Sequence, residues 1–248
     1  MITIKSKQDI EKMRDASKVV KETLELVGSK IQAGMTTNDV DKIAFDYIKS
    51  CGAIPSCLGY EGFPASTCIS VNDVVVHGIP SDRVIQDGDI VSVDLTAYKN
   101  GFHGDAARTF CIGNVTEDKR KLVKVTEECF FKAIENLKAG TPLYNIGAAV
   151  QEHAESHGYG VVRSLVGHGI GREMHEDPSV PNFGRRGTGI RLKAGMALCI
   201  EPMITMGDFH VNFSSLDGWT VTTRDHSPAA HYENTVIILE DGVEILTL

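Results

Sequence analysis

Apolar side chains at Ile10, Met13, Ala16, Val20, Leu24 and Val27 recur at the spacing of one helical face, which predicts a first helix over residues 6–31 with Ser6 as its N-cap. After a turn at Ala33 and Gly34 the same period returns through Val40, Ile43, Ala44, Tyr47 and Ile48 and stops at Gly52, predicting a second helix. From Cys57 to Phe110 the period shortens, and β-branched runs punctuated by Gly, Pro and Asn-Asp predict strands. Two more helices are predicted at about 117–138 and 145–157. The remainder reads as strands, including VVRSLVGH, MALCIEP, GWTVTT and NTVIIL.

Helix, helix, strands therefore occurs twice. AGMTTNDVDKIAFDYIKSCG from Ala33 aligns with AGTPLYNIGAAVQEHAESHG from Ala139, and GDIVSVD ending at Asp94 aligns with GMALCIE ending at Glu201, at offsets of 106 and 107 residues. The expected architecture is a single α+β domain, 1–248, with duplicated halves of approximately 5–111 and 112–248. These halves would pack about a pseudo-twofold axis that sets Asp94 and Glu201 at equivalent positions.

With 248 residues and 42% hydrophobic composition, the chain can fill a sizeable core. Its 33 acidic and 25 basic residues, with no Lys/Arg-rich run, argue against nucleic acid as a direct substrate. No uninterrupted apolar stretch approaches the roughly 18 residues of a membrane span, and the start has no signal-type apolar region, so a cytoplasmic location is expected. Six cysteines at irregular spacing with no CxxC predict free thiols. The sequons at Asn114 and Asn212 are then chance matches.

Acidic residues sit where strands call for apolar ones. In IVSVDLTAYKNGFHGDAARTF, Asn100-Gly101 is a strong hairpin signal. If Lys99 pairs with Phe102, Asp94 lies opposite Ala107, and Asp105 points to the same face as a diagonal neighbour. Glu201 in MALCIEP, Glu233 in HYENTVIIL and His168 in GHGIG extend the pattern. Burying even one unpaired ion costs several kcal/mol. Arg108 or Arg172 could relieve part of the repulsion, but two divalent cations balance four carboxylates and one neutral imidazole better. Such a set suits manganese, iron, cobalt or zinc, and its natural reaction is hydrolysis of an acyl bond. No GxSxG or HExxH competes, and GHGIG lacks dinucleotide-fingerprint spacing.

GYEGFPASTCISVNDVVVHGIP, the hairpin ending HGDAARTF, GHGIGREMHEDP, CIEPM and HYENTVIIL together resemble the type I methionine aminopeptidases of the pita-bread metallopeptidases, from about residue 4 to the C-terminus. The resemblance implies the pita-bread fold, with an antiparallel sheet core and outer helices. It also implies removal of the initiator methionine from nascent polypeptides, preferably ahead of a small residue, and two metal ions on Asp94, Asp105, His168, Glu201 and Glu233. Glu201 would also accept the proton of the attacking water, His77 would hydrogen-bond near the scissile amide, and His175 would contact the substrate carbonyl or the tetrahedral intermediate. Cys57, Tyr60, Phe63, Cys68 and Trp219 offer an aromatic and sulfur-rich surface suited to a thioether. Glu61 and Met174 depart from the family pattern at the pocket's rim. A monomeric short form with transient ribosome association is implied, as is retention of its own Met1 ahead of the bulky Ile2. The alternatives are a proline-specific peptidase of the same fold and a non-catalytic nascent-chain-binding homologue.

Overall fold

The computed structural model describes residues 2–248, so Met1 lies outside the described residues. Among the described residues four α-helices form: α1, Lys7–Lys30; α2, Thr37–Ser50; α3, Glu117–Ile134; and α4, Tyr144–Ser156. Ser6 caps α1 in a capping box with Asp9, and Thr36 caps α2 the same way with Asp39, so orphan amides at both starts are satisfied locally. The third helix ends earlier than its apolar period predicts. Leu137 turns inward and the Ala139 amide donates to the Leu239 carbonyl, so a tertiary bond replaces the last helical turn.

Among the described residues nine strands make one sheet. Its centre is the hairpin of Ile90–Lys99 and Phe102–Cys111, followed by Glu233–Ile238, Ala197–Ile200, Gly167–Gly169 and Glu176–Val180. Lys99 pairs with Phe102 and Asp94 with Ala107, the register that the Asn-Gly turn predicts. Asn100 and Gly101 both take positive φ, 54° and 88°, as a two-residue type I′ turn requires.

Alternation decides what each face does. Val91, Val93, Leu95 and Ala97 pack against α1 and α2, while Leu198, Ile200, Val236 and Ile238 pack against α3 and α4. The helices thus cover one face of the sheet, and the residues between those apolar positions line the other. The predicted strand VVRSLVGH is corrected to two short pieces. Gly160–Val161 pairs with Met203–Thr205 in a small second sheet, and the chain then crosses to the main sheet at Gly167–Gly169. A third small sheet joins Val74–Val76 to Val221–Thr223, bringing His77 and Trp219 to the same side.

Where α1 crosses the hairpin the backbones nearly touch: a Cβ on Gly104 would lie 2.7 Å from the Ser17 nitrogen and Cα. Gly104→Ala is expected to cost about 1–3 kcal/mol by overpacking. Denaturant unfolding of the metal-free protein measures this, and unchanged stability would show that α1 yields at the crossing.

Candidate metal centre

Two adjacent rows of side chains on the uncovered face build the site. In the first, Cys68, Asp94, Ala107 and Glu233 oppose one another across four strands. Glu201 extends this row, one residue past Ile200, which pairs with Asn234. In the second row Thr96 opposes Asp105 and Thr235 opposes Cys199. The Asp105 amide donates to Thr235 Oγ1 at 3.0 Å, and that hydroxyl donates to the Asp105 carbonyl at 2.9 Å. His168 completes the row from the next strand, where Gly169 pairs with Leu198. Ala107, at the middle of the acidic row, carries only a methyl and leaves the space between the carboxylates open.

The five predicted donors converge. His168 Nε2 lies 3.8 Å from Asp105 Oδ2 and 3.6 Å from Glu201 Oε1. Its Nδ1 donates to the Gly169 carbonyl at 2.9 Å, which leaves the Nε2 lone pair facing the acids. Donor atoms of Asp105, His168 and Glu233 lie within 4.8 Å of one another. These separations exceed hydrogen-bond length. They approach the edges of a coordination shell, where donors about 2.1 Å from an ion stand about 3.0–3.4 Å apart. Asp105 Oδ1 and Glu233 Oε1 are buried without a hydrogen-bond partner, each a penalty of about 1–3 kcal/mol if left so.

Neither arginine relieves this. Arg108 points to the helix-covered face, where it donates to the Ala107 and Glu233 carbonyls and to Asn234 and lies over the Tyr232 ring. Arg172 pairs with Asp9 at 3.2 Å. Among the described residues the ion pairs within reach of Asp105, Glu201 and Glu233 are all to histidines. Unpaired carboxylates, orphaned oxygens and a pre-aimed imidazole fit divalent cations.

Two further residues with ligand-type atoms stand beside these donors without having been predicted. Cys199 Sγ lies within 4.8 Å of the Asp105, His168 and Glu233 donors. Burial, then Glu233 and Asp105, push its thiol well above the ordinary range, so it stays neutral on the floor of the site. His231 stands two residues before Glu233, and period-2 alternation in HYENT was the signal that placed both on one face.

A cavity of about 400 Å³ opens over the acids and is lined by His77, His175, Cys57, Tyr60, Phe63, Cys68 and Trp219, the predicted substrate residues, together with Glu61 and Met174. Cys57, Phe63 and Cys68 are buried in one apolar cluster with Trp219 against it. Asp41 of α2 anchors this wall by accepting from the Ser66 and Thr67 amides at 3.0 and 2.8 Å. The Tyr60 hydroxyl and His175 Nδ1 are 2.7 Å apart, and the His175 ring stands edge-on to His168 with centroids 4.3 Å apart. Glu176 holds the His175 loop through Lys5 at 2.6 Å and the Arg172 amide at 2.9 Å.

The model of metallopeptidase family M24 matches residues 11–240. The chain belongs to family M24. Within that family it is similar over its whole length to methionine aminopeptidases. It is 56% identical to the methionine aminopeptidase of Clostridium acetobutylicum (100% of this chain, 99% of that protein) and 46% identical to methionine aminopeptidase 1 of Bacillus subtilis (100% and 99%). The crystal structure of methionine aminopeptidase from Rickettsia prowazekii superposes with a TM-score of 0.98 at 44% identity over the full length of both chains. Prolidase from Pyrococcus furiosus, at 24% identity and TM-score 0.77 over 65% of its length, shares the fold. No helix among the described residues is long and apolar enough to cross a membrane.

In this M24 chain, burial governs protonation of the cluster. It pushes Asp94, Glu201 and Glu233 well above the carboxylate range, each pushed further by neighbouring acids, and puts Asp105 at about 7. The same burial lowers His168 to about 3, so the imidazole is neutral and its Nε2 free to bind a cation. Cations bind the carboxylate form, so protons must leave as metal enters, and affinity must fall as pH falls from 8 to 6. Calorimetric titration of metal-stripped protein with manganese is expected to show net proton release and affinity weakening about tenfold per proton displaced for each pH unit. Affinity independent of pH, or retained at full strength in Asp105→Ala, would contradict the site.

Proposed function

We propose that this chain is a methionyl aminopeptidase that releases N-terminal methionine from nascent polypeptides and peptides, preferably ahead of a small residue, using two divalent ions held by Asp94, Asp105, His168, Glu201 and Glu233. The observation that carries the reading is the placement of those five donors on the floor of a cavity walled by Cys57, Tyr60, Phe63, Cys68 and Trp219. The full-length similarity to methionine aminopeptidases supports it.

Divalent ions in such a set supply Lewis-acid polarisation of the scissile carbonyl and acidify a water enough for attack at neutral pH. The side chains supply the rest. The thioether of methionine, polarizable and flexible, packs against the thiols and the Phe63 and Trp219 rings, which meet edge-on at 5.2 Å. The substrate's free α-amine faces the acids, so a chain end is selected over an internal methionine. Glu201, at the open end of the acidic row, takes the proton of the attacking water. His77 hydrogen-bonds near the scissile amide. Burial, with His175 beside it, lowers its pKa to about 4, so a neutral imidazole serves at physiological pH. It sits at φ 58°, a backbone rare outside glycine, immediately after the Val74–Val76 strand. His175, held by Tyr60, contacts the substrate carbonyl. Glu61 and Met174 line the same cavity and tune preference beyond the methionine.

The reading also includes an internal duplication of halves 5–111 and 112–248. Its support is the equivalent placement of α2 and α4 after Gly34 and Gly140, both at left-handed φ (92° and 86°), and of Asp94 and Glu201 in one row.

Incubation of the purified protein with Met-Ala-Ser and Ala-Pro peptides, with manganese and with chelator, tests the activity. Methionine release that chelation and Asp105→Ala both abolish is expected. Cleavage of Ala-Pro instead would favour a proline-specific peptidase, and inactivity under every metal condition would favour a binding homologue.

A further inference from the structure

We infer that His231 is a sixth protein donor to the metal centre, giving the ion held by Asp94 and Glu233 a nitrogen ligand. The assignment rests on the two-ion reading above and adds to it a residue outside the five donors.

His231 is 2% exposed, and neither ring nitrogen has a hydrogen-bond partner. Its Nε2 lies 3.8 Å from Glu201 Oε2 and 3.8 Å from Glu233 Oε2, too far for hydrogen bonds. These are the separations at which His168 faces Asp105 and Glu201, at 3.8 and 3.6 Å. Glu201 thus stands between two imidazoles, with Oε1 toward His168 and Oε2 toward His231. One donor atom each from Asp94, His231 and Glu233 lies within 4.8 Å of the others, a group that includes neither Asp105 nor His168. Two donor clusters therefore share Glu233, each with its own imidazole.

The backbone holds this placement. The His231 amide donates to Thr109 Oγ1 at 3.0 Å, that hydroxyl donates to the His231 carbonyl at 2.8 Å, and His231 pairs with Met203. A neutral imidazole in a carboxylate set shifts preference from manganese and magnesium toward iron, cobalt and zinc. The second ion position is accordingly selective for imidazole-favouring ions.

Metal-stripped full-length protein titrated with cobalt(II) tests this by calorimetry, with proton NMR of the loaded protein as an independent readout. Each coordinated imidazole contributes one solvent-exchangeable, paramagnetically shifted N–H signal. The wild type is expected to bind two ions and show two such signals. His231→Gln should lose one signal and weaken the second ion about tenfold or more, and the zinc-over-manganese preference of that ion should shrink. His168→Gln should keep the signal of His231. Two bound ions with a single shifted signal in the wild type, a count that needs no variant to fold, overturns the assignment and leaves the two-ion reading standing. Identical second-ion affinity and spectrum in a His231→Gln protein with wild-type circular dichroism does the same. Binding of a single ion by the wild type overturns both.

Discussion

Four carboxylates share one face of a sheet where, among the described residues, no lysine or arginine pairs with them, and the rest of the structure is arranged around that constraint. In a low-dielectric interior such a group is stable only protonated or neutralised by cations. Burial favours the first condition, raising Asp94, Glu201 and Glu233 well above the carboxylate range and setting Asp105 at about 7. In the proposed reading the second condition makes the same cluster a metal centre, and proton release is the signature of cation binding.

The scaffold makes that concentration of charge tolerable by dividing labour between the faces of the sheet. All four helices pack on the apolar face, where Val91, Val93, Leu95, Leu198, Val236 and Ile238 fill the core. The opposite face is left for polar chemistry. The two small sheets bring Met203, and His77 and Trp219 beside their strands, to the cavity wall. Antiparallel pairing supplies accuracy at low cost, because residues in register across Ile90–Lys99, Phe102–Cys111, Glu233–Ile238 and Ala197–Ile200 reach the cavity side by side.

Much of this was legible in the sequence for identifiable physical reasons. Asn100-Gly101 sets a turn type, the turn type sets a register, and the register places Asp94 and Asp105. Ser6 announced the start of α1 because capping is a local event. The end of α3 was hidden because Ala139 bonds to Leu239, a hundred residues away along the chain. The break in VVRSLVGH was hidden because Val161, Val162 and Val166 give the segment one β-branched character, whereas its passage from one sheet to another depends on strands distant in the chain. Arg108 cannot partner the acids because strand alternation next to Ala107 puts it on the opposite face. Period-2 alternation puts His231 on the face of Glu233, but its approach to Glu201 depends on a strand some thirty residues away in the chain and is visible only in the fold.

The central claim is that the two side-chain rows form one cradle for two ions, and anomalous diffraction from crystals loaded with manganese or cobalt tests it most directly. The account predicts two peaks about 3.5–4 Å apart, above Ala107 and between Asp94, Asp105, Glu201 and Glu233. Full loading that yields one peak only, or peaks away from those carboxylates, would contradict it.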